Sequence, residues 1–171
     1  MSTEIGISLT VNGERISRRV EARRHLIDFL RLDLGLMGSH TGCEHGVCGA
    51  CTVRVNGLIV RGCLVLAVSL DGATVETIEG MSDTGEIRDL QDAFVARNAC
   101  QCGYCTPGML VTAAELLSDA AKTRAVPSRA AIREHLSGNY CRCTGYHAIV
   151  DAVETVARAR ADGAGTGTGQ P

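Results

Sequence analysis

The sequence has 171 residues, 45% of them hydrophobic and 21% charged, with a formal net charge of −2. This composition favours one larger or two small folded domains over a disordered chain, and it lacks the basic field that attracts nucleic acid. Residues 1–11 lack the basic and apolar segments of a signal peptide, and no apolar run reaches the roughly 18 residues of a membrane span. We therefore expect a cytoplasmic protein, unless an exported partner carries it to the periplasm.

Cysteine is unusually frequent, with nine copies, whereas aromatic residues make up 3% and tryptophan is absent. A small core with few aromatic side chains buries little area per residue, and small domains often recruit metals to compensate. A disulfide framework is unfavourable in a reducing cytoplasm, and an odd number of cysteines leaves one thiol unpaired. Metal binding is therefore the leading explanation for the cysteines.

The first half of the sequence is predicted to be rich in strands. The strand segments are 5–11, 14–20, 52–55, 58–61 and 73–79. Asn12-Gly13 and Asn56-Gly57 are two-residue hairpin signals between neighbouring segments. Residues 25–34 place apolar side chains on one helical face, and a loop rich in glycine and cysteine follows over 38–51. Strands with one helix packed across them predict an α+β fold.

The second half has the periodicity of helices. Four are predicted, over 86–99, 106–120, 127–138 and 146–160. Their predicted start signals are Ser82 or Asp83, then Thr106-Pro107, then Pro127-Ser128. We expect a strand-rich domain over 1–80, a small helical bundle over 81–161, and a disordered tail over 162–171.

Four cysteines of the first half have the spacing of a plant-type [2Fe–2S] ferredoxin. They are Cys43, Cys48, Cys51 and Cys63. The glycines of the same loop are Gly38, Gly42, Gly46 and Gly49. Glycine lets the backbone wrap closely, so that N–H groups can point at the cluster sulfurs and raise the reduction potential. A structural zinc site is the alternative, but zinc ligands usually come as two C-x2-C-like pairs. His45 is interpreted as a solvated loop residue, because a Rieske centre needs two histidines.

The second set of cysteines consists of a C-x2-C pair and a C-x-C pair. Its members are Cys102, Cys105, Cys141 and Cys143. This pattern alone also occurs in zinc sites and redox dithiols. A predicted helix start follows each pair, and two helix N-termini on one anionic cluster would raise its potential by something on the order of 100 mV. Cys100, the ninth cysteine, is interpreted as a small buried hydrophobic residue.

Three motifs carry most of these cysteines. They read CEHGVCGACTV over 43–53, QCGYCTPGM over 101–109 and GNYCRCTGY over 138–146. In this order they resemble the small iron–sulfur subunits, or N-terminal iron–sulfur domains, of the xanthine oxidase family of molybdenum hydroxylases. The resemblance covers roughly residues 5–160. It implies a β-grasp, plant-type ferredoxin-like domain followed by a four-helix domain, each with one [2Fe–2S] cluster.

The resemblance also implies partners. The helical-domain cluster would lie near a molybdopterin on a large subunit, with Gln101 hydrogen-bonded to the pterin and Cys143 against its amino group. The ferredoxin-type cluster would face a medium FAD-binding subunit or another acceptor. The sequence has no flavin or molybdopterin segment, so we expect those groups on partners, in a heterotrimer or its dimer. Tyr104 and Met109 are candidates for the partner face, with burial in the chain's own core as the alternative for Met109.

The implied function is electron transfer. Electrons left on molybdenum by substrate oxidation would pass through both clusters to the acceptor, while the redox chemistry belongs to the cofactors. A free ferredoxin-like carrier is one alternative, and the second cluster domain argues against it. A structural zinc protein is the other, and it would be colourless. No residue of the sequence indicates the substrate.

Overall fold

The computed structural model describes residues 3–123 and 125–164. Within them, a strand-rich first part and a helical second part pack against each other, each around its own cluster of buried apolar side chains. The predicted α+β fold class is confirmed. The domain bounds stay predictions. The predicted tail starts too early, because residues 162–164 belong to the last helix, and its remainder from residue 165 onward lies outside the described residues.

The first part forms one mixed sheet. Its strands are β1 (Glu4–Val11), β2 (Glu14–Glu21), β3 (Thr52–Val55), β4 (Leu58–Arg61) and β5 (Thr74–Glu76). The order across the sheet is β2-β1-β5-β3-β4, with β1 and β5 parallel and all other neighbours antiparallel. Both predicted hairpin turns are present, since φ is 50° and 82° at Asn12 and Gly13, and 49° and 83° at Asn56 and Gly57. Positive φ at both central residues gives the type I′ turn, whose twist matches the strands.

The helix predicted over 25–34 packs across this sheet. It begins as α1 (Leu26–Asp28) and continues as a wider π-helical turn over Phe29–Asp33. Leu26, Phe29 and Leu30 are fully buried in the same apolar cluster as the inward side chains of the strands. This helix across a mixed sheet is the β-grasp arrangement that the resemblance implied.

Five helices build the second part in the described residues. They are α2 (Ile78–Asp83), α3 (Arg88–Ala96), α4 (Thr106–Thr123), α5 (Arg129–Leu136) and α6 (His147–Ala164). The last four correspond to the predicted helices. Helix α2 is additional: it follows β5 closely, shortens the strand predicted over 73–79 and crosses the predicted domain boundary. Within residues 3–123 and 125–164, no helix combines the length and apolarity that a membrane span requires.

The predicted helix starts differ in their outcome. Helix α5 begins at the predicted start Pro127-Ser128, where Ser128 is the N-cap: its Oγ accepts a hydrogen bond from the backbone N–H of Ala131 at 3.2 Å. Ser82 instead lies inside α2, where its hydroxyl donates to the carbonyl of Ile78 at 2.7 Å. Helix α3 then begins at Arg88 without a side-chain cap. The predicted cap for the helix at 86 is therefore wrong, because both candidates, Ser82 and Asp83, belong to the unpredicted helix α2.

Candidate iron–sulfur sites

The first cysteine loop is wound by residues in the left-handed region of backbone conformation. Glu44, Gly46 and Gly49 have φ of 58°, 83° and 76°. A Cβ at Gly46 would collide with the Leu64 side chain, and a Cβ at Gly49 would lie 2.6 Å from the carbonyl oxygen of Gly138. Glycine is therefore required at Gly49 by conformation and by space. At Gly46 it is favoured by conformation, because the exposed Leu64 side chain could move aside.

The loop brings three thiols of the first set close to the fourth, that of Cys63, which follows β4. The backbone N–H of Cys48 donates to Sγ of Cys43 at 3.4 Å. This hydrogen bond, with another from the backbone of His45, lowers the pKa of Cys43 to about 6. Burial raises the pKa of Cys51 to about 11, and its thiol contacts that of Cys63 and interacts with the charge of Cys48. A buried thiol of this kind ionises readily only when a bound metal replaces its proton.

The second set of thiols also comes together, at the N-terminal side of α4 and α6. Burial raises the pKa of Cys105 to about 12, with contributions from its contact with Cys141 and from the charge of Cys102. The pKa of Cys141 is lowered overall. Burial acts to raise this pKa, but hydrogen bonds, chiefly from Thr144, whose Oγ1 lies 3.1 Å from the Cys141 Sγ, outweigh it. Contact with Cys102 raises the pKa of Cys143. All four predicted ligands are thus neighbours.

Both donor sets fit a two-iron cluster. Among the residues that the structure describes, no three His, Cys, Asp or Glu side chains converge closely enough to hold one metal ion. The thiols instead meet in pairs, such as Cys51 with Cys63 and Cys105 with Cys141. A [2Fe–2S] cluster takes two ligands on each iron. The buried hydroxyl of Thr41, within the first loop, has no hydrogen-bond partner among the described residues, so it is available to donate to a cluster.

The two cysteine loops are hydrogen-bonded directly to each other, which the sequence did not indicate. The backbone N–H of Tyr140, the neighbour of Cys141, donates to the carbonyl of Cys48 at 2.8 Å. A Cβ on Gly108 of α4 would overlap the carbonyl oxygen of Gly49. The first loop therefore packs against the second at backbone contact distance.

Tyr104 makes a second link between the loops. It lies inside the C-x2-C pair and stacks on His40, with 4.7 Å between ring centroids. Its hydroxyl donates to the carbonyl of Thr41 at 2.5 Å, and its own carbonyl lies 2.8 Å from Nδ1 of His40. The position of Tyr104 between two predicted ligands was the only sequence signal of this link, and the sequence did not indicate that Tyr104 contacts His40 and Thr41.

A buried polar network fills the junction between the loops. Asn139 is 1% exposed. Its Nδ2 donates to the carbonyl of Gly49 at 3.1 Å, and its Oδ1 accepts from Thr112 at 3.0 Å and from Arg61 at 3.2 Å. Arg61 also donates to the carbonyl of Gly138 at 2.8 Å. These bonds join β4, α4 and the residues before Cys141.

Comparison with known proteins identifies the family. A "2Fe-2S iron-sulfur cluster binding domain" matches residues 37–97, and a "[2Fe-2S] binding domain" matches residues 77–154. Caffeine dehydrogenase subunit gamma of Pseudomonas sp. (strain CBB1) is 48% identical over 161 residues, which cover 91% of this chain and 92% of that protein. The chain belongs to the small iron–sulfur subunits of the xanthine oxidase family of molybdenum hydroxylases. Its role as an oxidoreductase subunit and its two [2Fe–2S] clusters are thereby confirmed, while the assignment of each ligand stays a prediction.

Two further relatives agree with this family. The nicotine 6-hydroxylase small subunit of Paenarthrobacter nicotinovorans is 48% identical over 152 residues, 89% of each protein. The crystal structure of quinoline 2-oxidoreductase from Pseudomonas putida 86 contains a chain that is 47% identical and superposes with a TM-score of 0.85. The match covers 96% of this chain and 99% of that one. Over the matched residues, this iron–sulfur subunit therefore has the fold of that relative.

The residues predicted to contact a molybdopterin lie at the surface of this subunit. Gln101, Cys102 and Cys143 are exposed, and Cys102 contacts Cys143. A partner can therefore reach both predicted pterin contacts, Gln101 and Cys143, and the contact itself stays a prediction. Tyr104 is half-exposed, but Met109 is fully buried in the helical core. The alternative interpretation of Met109, burial in the chain's own core, is the correct one.

The two helices near the second set of thiols begin at different distances along the chain from their cysteine pairs. Helix α4 begins at Thr106, directly after Cys105, as predicted. Helix α6 begins at His147, after Tyr146, which has a φ of 67°. The Tyr146 hydroxyl accepts from the backbone N–H of Cys141 at 2.9 Å and so anchors the second pair. The expected effect of both helix N-termini on the potential stays a prediction.

The expectation that Cys100 is buried is wrong. Its neighbour Ala99 is 1% exposed and closes the helical core, whereas Cys100 is exposed. Asn98, with a φ of 52°, turns the chain out of α3 just before it. Cys100 therefore begins the surface loop, with its sulfur beside Gly103.

Proposed function

We propose that this subunit relays electrons, one at a time, from a molybdopterin centre on a large subunit to FAD on a medium subunit or to another acceptor. The proposed ligands are Cys102, Cys105, Cys141 and Cys143 for the cluster nearer the molybdopterin, and Cys43, Cys48, Cys51 and Cys63 for the cluster nearer the acceptor. The clusters supply one-electron redox chemistry when bound. The bond from Tyr140 to Cys48, at 2.8 Å, supports this proposal most directly, because it fixes the two cysteine loops side by side.

The molybdopterin side of the proposal depends on an open edge of the second set. Cys102 and Cys143 are exposed, whereas Cys105 and Cys141 are partly buried. A large subunit that covers this edge would bring its pterin to Gln101 and Cys143. In this arrangement Gln101 donates or accepts hydrogen bonds at the pterin, and both residues help to exclude water from the contact.

The acceptor side depends on an apolar surface beside the first set, here named the acceptor face and defined by Gly46, Val47 and Leu64. Val47 and Leu64 are 44% and 63% exposed. Val47 precedes Cys48, Leu64 follows Cys63, and the Leu64 side chain lies against Gly46. Exposed apolar side chains beside metal ligands suit a docking surface that excludes water around the electron-transfer contact. We assign this face to the FAD-binding subunit, in a heterotrimer or its dimer.

The substrate class and the compartment complete the proposal. Relatives that are 47–48% identical are named for caffeine, nicotine and quinoline, all of them nitrogen heterocycles. We assign the same class of substrate to this complex, oxidised on the partner that holds the molybdopterin. We also assign the complex to the cytoplasm, where thiols stay reduced and available as cluster ligands. Assay of the purified complex with heterocycles and aldehydes, using an artificial electron acceptor, tests the substrate class.

Cysteine variants test the ligand assignment in the intact complex. We expect Cys51→Ser and Cys105→Ser each to abolish one [2Fe–2S] signal in electron paramagnetic resonance spectra and to leave the other. Cys100→Ser is the matched control and retains both, because it is exposed and belongs to neither set. Loss of a signal in the control, or retention of both signals in the other variants, would contradict the assignment. Purification of this chain with clusters but without partners would support a free carrier instead.

A further inference from the structure

Arg61 is a half-buried cation that has no anionic partner among residues 3–123 and 125–164. Its guanidinium donates to the hydroxyl of Thr52, to the carbonyl of Gly138 at 2.8 Å and to the amide oxygen of Asn139 at 3.2 Å. All three acceptors are neutral. Arg54, on the neighbouring strand, shows the usual arrangement, because it pairs with two carboxylates at 3.3 and 2.7 Å.

Arg61 is hydrogen-bonded to residues that lie close in sequence to members of both sets of thiols. Arg61 lies two residues before Cys63 in the chain. The hydroxyl that it binds belongs to the residue after Cys51, and the amide that it binds lies two residues before Cys141. The guanidinium is thus bonded to the backbone or side chains that flank ligands of both clusters.

An unpaired charge out of bulk water is unfavourable unless a charge of opposite sign compensates it. Four thiolates on a [2Fe–2S] core form an anionic group, and one-electron reduction adds a further negative charge. A cation between two such groups attracts the reduced form of each more strongly than the oxidised form. The absence of a carboxylate at Arg61, within the part of the chain that the structure describes, leaves this attraction undiminished.

We infer that Arg61 is the counter-charge shared by the two clusters and that it raises the reduction potential of both. This inference rests on the proposed function, since it needs both clusters on the assigned ligands. Arg61 then has two roles at the junction, because the side chain that ties the loops together also makes each cluster a better electron acceptor.

Redox titration of the complex, followed by electron paramagnetic resonance, tests the inference. We expect Arg61→Gln to lower the equilibrium constant for reduction of each cluster about tenfold, which corresponds to about 59 mV for a one-electron couple. Arg61→Lys keeps the charge and should retain both potentials. Thr112→Val, which removes a neutral hydrogen bond to Asn139 and no charge, is the matched control and should also leave both potentials unchanged.

A second variant covers the case in which Arg61→Gln loses iron. Asn139→Asp keeps the side-chain shape and places a carboxylate against the guanidinium, although it also replaces the N–H donor to the Gly49 carbonyl with an oxygen. It should lower both potentials with Arg61 still present. Equal potentials in wild type, Arg61→Gln and Asn139→Asp would overturn the inference, as would a shift in Thr112→Val as large as in Arg61→Gln. Loss of iron from Arg61→Lys, which keeps the charge, would show that Arg61 is needed only for the structure of the junction, and this too would overturn the inference. Absence of two cluster signals from the wild-type complex would instead refute the proposed function.

Discussion

Replacement of Asn139 by alanine tests how strongly the polar network at the junction holds the two cysteine loops together. The side chain is 1% exposed. It makes hydrogen bonds of 3.1, 3.0 and 3.2 Å with Gly49, Thr112 and Arg61. Alanine removes these three, together with a longer bond from Nδ2 to the hydroxyl of Thr52 at 3.4 Å. It also leaves a space that the backbone on either side can fill only in part.

The expected loss of stability follows from these bonds. Two neutral hydrogen bonds contribute about 1 kcal/mol each, and one from a charged donor contributes about 1.5–3 kcal/mol. Each partner keeps another bond: the Gly49 carbonyl accepts from Thr52, Thr112 donates to Gly108, and Arg61 donates to Gly138. No partner is left unpaired, so we expect the lower end, a loss of about 3.5 kcal/mol. For a chain of this size that lowers the melting temperature by about 7–14 °C.

Thermal bleaching of the cluster absorption, recorded at one scan rate, measures this loss in the purified protein. A fixed scan rate is needed because release of iron makes unfolding irreversible. Ser137→Ala is the control, since this exposed hydroxyl donates only to the carbonyl of Glu134 at 2.7 Å; it should shift the midpoint by no more than about 2 °C. If Asn139→Ala shifts the midpoint no further than the control, the network does not hold the loops together.

Three further changes test other parts of the molecule. Hydrogen bonds from Arg160, at 2.7 and 2.8 Å, lower the pKa of Asp89. The stability that this pair contributes is therefore present above the unfolded pKa of about 3.9 and is lost as the pH falls through the folded pKa. Asp89→Asn should lower the free energy of unfolding by about 0.5–1 kcal/mol at pH 7, and denaturant titrations should show this difference from wild type narrowing below pH 4. A difference that stays constant with pH would contradict the assignment. Leu64→Ser should weaken binding of the FAD-binding subunit in pull-down assays at least several-fold. The control Leu58→Ser, at the first residue of β4 and similarly exposed, should not weaken it. Equal effects of the two variants would refute the acceptor face. Tyr104→Ala removes the stacked ring and the hydroxyl bond between the loops and should lower the bleaching midpoint by about 2–6 °C, and an unchanged midpoint would show that this link is dispensable.

Local signals predicted much of this fold. Asn12-Gly13 and Asn56-Gly57 lie at hairpin turns because only a few residues tolerate positive φ at both central positions. Ser128 caps α5 because its hydroxyl reaches the N–H of Ala131 without help from the rest of the chain. The spacing of the cysteines predicted two sets of thiols, and the structure brings the members of each set together.

Features that depend on distant contacts could not be predicted in this way. Residues 73–79 alternate like a strand, but β5 ends at Glu76, and Ile78 and Met81 of α2 are buried in the helical core instead. Asn139 has no local signal of its role, because each of its partners is far away in the sequence. The exposure of Cys100 depends on where the helical core ends, which a single residue type does not reveal.

Analysis of iron and acid-labile sulfide in the complex purified through a tag on this chain tests the central claim most directly. Two [2Fe–2S] clusters predict four irons and four sulfides per chain, with molybdenum and flavin on co-purifying subunits. Two irons and two sulfides would mean that one set of thiols binds no cluster. Zinc without sulfide would contradict the account altogether.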